Sequence, residues 1–187
     1  MKSLKLSKPL AIMMVGIPGS GKSYFAEKFS EMFKIPYIDP LAIEPLAKDE
    51  DAANKLTSFV LSKISQTRES FVLEGNGDTF KSRSEFAYWA KSNGYVPTFI
   101  WVQVDKATAS SRTLKKNKID KETFEQIVKS FEKPKISEKT IVISGKHTYI
   151  SQARTVVANV SKEDVNLPNK KPVEQKGVPS KSIRIIQ

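Results

Sequence analysis

Apolar residues fall along this chain in two alternating rhythms. Five short, nearly unbroken apolar runs occupy residues 10–15, 35–38, 70–75, 99–104 and 140–145. Such runs are expected of strands covered on both faces of a parallel sheet. Between them the spacing shifts to the helical period of three and four. The stripes are Phe25, Phe29, Met32 and Phe33; Leu56, Phe59, Val60 and Ile64; Phe86, Trp89 and Ala90; Phe124, Ile127, Val128 and Phe131; and Ile150, Ala153, Val156, Val157 and Val160. Residues 41–47 read as a short helix or turn. Ser82 with Glu85 forms a capping-box pattern, and Asn93-Gly94 stops that helix. Asp105 is placed to cap a helix running to about Lys116, and Asp120 opens another that Pro134 closes. Strands alternating with helices imply right-handed crossovers, hence an α/β fold with a five-stranded parallel sheet and helices on both faces.

From Ser161 onward the rhythm is lost. Pro168, Pro172, Pro179 and several lysines predict an extended, mostly disordered tail over residues 161–187, following one domain over residues 1–160. At 187 residues the chain supports one substantial core rather than two. Without cysteine, disulfides, zinc–thiolate sites and cysteine nucleophiles are excluded, and a reducing cytoplasm is the expected setting. Lys2, Lys5 and Lys8 ahead of the first apolar run imitate a secretory leader, but the run is very short and leads straight into a glycine loop. No apolar stretch is long enough to span a membrane. The formal net charge of +11 permits a polyanionic partner such as nucleic acid; a solvated, lysine-rich surface is the plainer alternative.

The loop is where chemistry enters. Gly16-Ile17-Pro18-Gly19-Ser20-Gly21-Lys22-Ser23 fits G-x-x-x-x-G-K-[ST], with a strand before it and a helix after it, as that pattern requires. Three glycines let successive backbone N–H groups turn inward as an anion nest, and the helix adds its unpaired N–H groups and dipole. Lys22 is placed to reach β- and γ-phosphate oxygens and Ser23 to ligate Mg²⁺, with Tyr24 in the first helical turn. In an open parallel sheet, ligands sit beyond the carboxyl ends of the strands. That rule adds Asp39 as proton acceptor or as a turn residue before Pro40, and Glu74 as Mg²⁺ ligand or as a cap or surface partner. Arg83, Arg112, Lys115 and Lys116 are candidates for gripping phosphate, against the alternative of plain solvation. His147, the sole histidine, reads as structural or as a ribose or base contact.

These residues resemble the small P-loop kinases of the polynucleotide-kinase-like and zeta-toxin-like group, from about Leu10 to Val160. The likeness rests on GIPGSGKS, on the strand-end Asp39, on FVLEGNGDTFKSRSEF, and on the lid-like SRTLKKNKIDKETFEQIVKSFEKP. It implies a three-layer P-loop NTPase fold with a helical lid over about residues 112–134, and ATP with Mg²⁺ as phosphate donor. Asp39 would deprotonate an acceptor hydroxyl, with Asn76 and Arg83 beside that acceptor. Arg112 or the Lys115 and Lys116 pair would supply lid cations, and Lys146 and His147 would lie near the adenine. The chain departs from the group in three places: no arginine follows Asp39 closely, the strand-three acid is Glu74 rather than aspartate, and the lid is rich in lysine rather than arginine. The expected function is transfer of the γ-phosphate of ATP to a hydroxyl acceptor, for example a polynucleotide 5′-hydroxyl or a nucleoside. The rival is an ATPase or nucleotide switch that works through a partner.

Overall fold

A computed structural model describes residues 7–75, 77–115 and 119–165. The five apolar runs become β1 (Leu10–Val15), β2 (Tyr37–Ile38), β3 (Phe71–Leu73), β4 (Val96–Gln103) and β5 (Thr140–Ser144). They form one parallel sheet in the order β2-β3-β1-β4-β5. The helices are α1 (Lys22–Phe33), α2 (Pro40–Ile43), α3 (Glu50–Thr67), α4 (Phe80–Ser92), α5 (Lys106–Lys115), α6 (Lys121–Ser130) and α7 (Tyr149–Val165). Two 3-10 turns, Glu44–Leu46 and Ile136–Glu138, link them.

β1 explains the layering. All six of its residues are buried, and strand alternation sends them to opposite cores. Leu10, Ile12 and Met14 meet Phe25, Ala26 and Phe29 of α1 and Ala153, Val156 and Val160 of α7. Ala11, Met13 and Val15 meet a second core containing Phe71, Leu73, Phe86, Ala90, Tyr95 and Phe99. Burying each large apolar side chain contributes about 1.5–3 kcal/mol, so both faces hold β1 at the centre. Among the described residues no helix is long and apolar enough to cross a membrane.

Register lines up the strand ends. Met13 and Ile38 both pair with Leu73, Val15 pairs with Trp101, and Gln103 pairs with Ser144. Gly16, Asp39, Glu74 and Gly145 therefore leave the sheet along one edge, and β1 is the point from which the chain winds to either side. That is the ligand-binding edge of an open α/β sheet.

Several local expectations shift. Thr79, rather than Ser82, caps α4: its Oγ1 accepts the Ser82 N–H at 3.2 Å, and the Phe80 N–H donates to Glu132 Oε2 at 2.8 Å. Thr79 offers the same cap chemistry three residues earlier. On α3 the inward residues are Ala53, Val60, Leu61 and Ile64, while Leu56 and Phe59 face outward. The apolar residues of α3 spread over more than one face, so spacing alone did not identify the inner one. Met32 is likewise outward on α1. α6 ends at Ser130, and Phe131 instead tilts against Trp101 in the core. α7 continues past Ser161 to Val165, since polar residues extend a helix without extending its stripe.

Candidate functional site

The glycine loop is wedged between two neighbours. A Cβ on Gly19 would lie 2.2 Å from the Ala109 carbonyl oxygen of α5, and one on Gly145 would lie 2.2 Å from the Ser20 carbonyl oxygen. Gly19 also has a φ of +77°, in the left-handed region. Only glycine fits at either place, and the loop's path is set by α5 on one side and the β5–α7 turn on the other. No side chain caps the N-terminus of α1, because its N-cap is Gly21. The loop thus presents uncapped N–H groups at the positive end of a twelve-residue helix.

Two polar groups within the loop have few competing commitments. Ser20 Oγ is buried and has no hydrogen-bond partner among the described residues. Lys22 Nζ folds back to donate to the carbonyls of Gly16 at 2.5 Å and Ile17 at 3.2 Å. Burial pulls the Lys22 pKa below its ordinary value, against the opposing influence of Glu74 and Asp78. An ammonium in that position gains by meeting an anion. Gly16, Pro18, Gly19, Ser20, Gly21, Lys22, Ser23 and Tyr24 all belong to this loop or the first turn of α1, with Ser23 and Tyr24 exposed.

Beside the loop, the Ser23 hydroxyl donates to Glu74 Oε1 at 2.8 Å and the Tyr37 hydroxyl donates to Glu74 Oε2 at 2.5 Å. Asp39 follows Ile38 as Glu74 follows Leu73, so the two acids leave neighbouring strands at matched positions. In this structure the Asp39 carboxylate accepts the Leu41 N–H at 3.0 Å and caps α2, the turn geometry that Asp before Pro favours. It is partly exposed, so a second partner has access to it. Among the described residues no three acidic or histidine side chains converge into a metal cage. A serine hydroxyl and one carboxylate are nonetheless hard oxygen donors of the kind Mg²⁺ takes when phosphates supply further ligands. The orphaned Ser20 hydroxyl, the uncapped helix end and this donor pair together fit a metal-bound nucleoside triphosphate.

At the other flank, Arg112 Nη1 donates to the Gly145 carbonyl at 3.0 Å, bringing its guanidinium to the turn that abuts Ser20. Lys146 pairs with Asp105 at 2.6 Å, and Asp105 also caps α5 through the Thr108 N–H at 2.9 Å. These bonds, led by that of Lys146, hold the Asp105 carboxyl well below the usual carboxylate range. His147 is exposed, and its backbone N–H closes the turn on Ser144. Lys115 ends α5 on the surface.

Arg83 requires a correction. It is fully buried rather than set in the cleft, and its donors are engaged by Glu138 Oε1 at 2.5 Å, Glu138 Oε2 at 3.2 Å, Gly77 O at 2.8 Å and Glu132 O at 2.9 Å. A guanidinium so committed grips the chain's own backbone, not a phosphate. It joins the loop after β3 to the segment that follows α6, an attachment reinforced by the Glu132 N–H to Asp78 O bond at 2.8 Å. Burial raises the Glu138 pKa, but the bonds from Arg83 and the Lys135 N–H outweigh it and leave the carboxyl below its ordinary value. Asn76 and Lys116, both singled out from the sequence, lie outside the described residues. Sequence reasoning missed Tyr37 and Glu138. Strand alternation two residues before Asp39 pointed to the first, whereas nothing local marks a partner 55 residues from Arg83.

The fold can now be set beside known structures. A gluconokinase from Sinorhizobium meliloti superposes with a TM-score of 0.64 at 18% identity, covering 85% of this chain and 95% of that one. A sugar kinase from a Janibacter species gives 0.60 at 11% identity, covering 82% and 95%. A chain of the Pnkp1/Rnl/Hen1 RNA repair complex gives 0.58 at 17% identity, covering 68% of this chain and 45% of that one. No protein-family model matches the sequence, and no curated protein matches it either. At these identities the likeness concerns architecture: the chain has the α/β fold of the P-loop kinases.

Proposed function

We propose that this protein is an ATP-dependent kinase that moves the γ-phosphoryl group of ATP to a hydroxyl of a second, small substrate. The observation that carries the reading is the contact of Ser23 with Glu74 beside the glycine loop, with Asp39 on the adjoining strand end. A nucleotide site alone needs only the loop; an acid on the next strand, open to a second molecule, is what transfer requires.

The roles follow from the chemistry of each group. The loop N–H groups and the start of α1 bind the β- and γ-phosphates, and Lys22 exchanges its two carbonyl partners for phosphate oxygens. Mg²⁺ held by Ser23 and Glu74 would neutralise charge on the transferring group. Arg112 and Lys116 add positive charge from the lid, residues 112–134, and Lys146 and His147 lie toward the base. Asp39 releases the Leu41 N–H and accepts the proton of the acceptor hydroxyl as its oxygen bonds to phosphorus. The bond to the ADP oxygen breaks, and ADP leaves with that electron pair. Asn76 is assigned to the acceptor side, and the tail from residue 161 onward to an auxiliary, polyanion-facing role.

The acceptor is a neutral hydroxyl compound rather than a polynucleotide end. Between Asp39 and Asp51 the chain carries Asp39, Glu44, Asp49, Glu50 and Asp51 against one cation, Lys48, in a protein whose net charge is +11. No arginine stands there to hold an acceptor phosphate, and Leu41 and Leu46 are exposed. Fold likeness to a sugar kinase agrees with a small acceptor of this kind. Transfer of labelled γ-phosphate to sugars, sugar acids, nucleosides and 5′-hydroxyl oligonucleotides tests the reading. Transfer to a small neutral compound is expected; ATP turnover indifferent to every acceptor would favour a partner-driven ATPase.

A further inference from the structure

Glu74 is tied down by a residue that no motif names. The Tyr37 hydroxyl, from β2, donates to one carboxylate oxygen of Glu74, and the Ser23 hydroxyl, from α1, donates to the other. The terminal torsion of a glutamate is broad, so a carboxylate with one partner still swivels. Partners on both oxygens fix its plane.

We propose that Tyr37 is a positioning residue for Glu74, holding its carboxylate toward Ser23 so that a divalent cation finds both oxygen donors already in place. This inference rests on the reading of Ser23 and Glu74 as metal ligands. A cation held by Ser23 and Glu74 would draw on the Ser23 oxygen, whereas the Tyr37 hydroxyl would act on the carboxylate alone, as a partner outside the ligand set that keeps it aimed.

The mounting of Tyr37 suits the task. The Val72 N–H donates to Pro36 O and the Glu74 N–H to Ile38 O, both at 2.9 Å, so backbone bonds to β3 flank Tyr37 on each side. Its ring packs against the core beneath α1. Asp39 follows directly on β2 as the N-cap of α2, so the positioning hydroxyl and the proposed base lie two residues apart on one short segment.

Tyr37→Phe keeps the ring and removes only the hydroxyl. Manganese binding in the presence of saturating ADP, followed by electron paramagnetic resonance, reads the metal site without any turnover. Calorimetry of ADP without metal reads the nucleotide site, and thermal melts check folding of each variant. The expected result is about 10-fold weaker manganese binding in Tyr37→Phe with metal-free ADP binding unchanged. Glu74→Gln should weaken manganese as well, and Tyr37→Phe added to it should bring no further loss. Wild-type manganese affinity in Tyr37→Phe would overturn the inference, as would an undiminished loss in the Glu74→Gln background. If that manganese pattern holds while no acceptor is phosphorylated, the positioning role stands and the kinase reading fails. If phosphoryl transfer occurs while manganese binding ignores both residues, the positioning role alone fails.

Discussion

The two sides of the proposed site are built to different standards. On the proposed donor side, β1 is buried along its whole length, and the loop that follows is pressed against α5 and the β5–α7 turn at distances that admit only glycine. On the proposed acceptor side, β2 has two residues, α2 has four and buries none, and α3 buries only Ala53 among its eighteen. Leu41, Leu46, Leu56 and Phe59 stay exposed there. A triphosphate is the same molecule for every protein that binds it, and its charges reward a rigid, preorganised cradle. An acceptor-binding surface with little burial costs less to reshape, and the acid-rich segment from Asp39 to Asp51 differs in charge from the basic remainder.

If that contrast is right, substitutions on the proposed donor side should reach ATP binding itself, and those on the proposed acceptor side should spare it. Gly19→Ala puts a methyl into the Ala109 carbonyl, and ATP binding measured by calorimetry should be lost. Lys22→Ala should leave the fold intact and reduce transfer by about 10²–10³-fold or more. Asp39→Asn retains the α2 cap through its side-chain oxygen; it should lower kcat by about 10²–10⁴-fold while ATP affinity is kept. Equal loss of ATP binding in Asp39→Asn would erase the distinction between the two sides.

The next effect is on stability. Arg83→Ala leaves Glu138 and two backbone carbonyls without their buried partner, and should cost about 3–5 kcal/mol in chemical denaturation. Its pH dependence has a definite sign. Glu138 titrates lower in the folded protein than its ordinary value of 4.5, so its stabilising contribution is complete above that pH. The contribution is lost as pH falls through the lower folded value, and Glu138→Gln should flatten that acid limb. The smallest change is expected from Lys146→Ala, whose partner Asp105 is solvent-screened; no measurable shift in Tm should follow.

How much of this was legible in the sequence follows the same division. The five strands, the helices that alternate with them, and the strand–loop–helix turn that carries Lys22 and Ser23 were readable because burial on both faces and a glycine-rich turn each impose a local pattern. Glu74 and Asp39 were readable by position, as strand-end acids. Arg83 was misread because a buried guanidinium and a phosphate-gripping one look alike until Glu138, distant in sequence, is seen beside it. The outward turn of Leu56 and Phe59 escaped notice for a related reason: what α3 packs against is decided by the thin edge of the sheet, not by its own spacing. Thr79 displaced Ser82 as a cap because both residues offer the same oxygen.

The most direct test of the central claim is single-turnover transfer of labelled γ-phosphate from ATP, run across the acceptor panel with wild type, Lys22→Ala and Asp39→Asn side by side. Label should move to a small neutral hydroxyl compound with wild type, disappear from it with Lys22→Ala, and arrive far more slowly with Asp39→Asn at unchanged ATP affinity. Label that goes only to water in wild type, at a rate Asp39→Asn does not alter, would contradict the account.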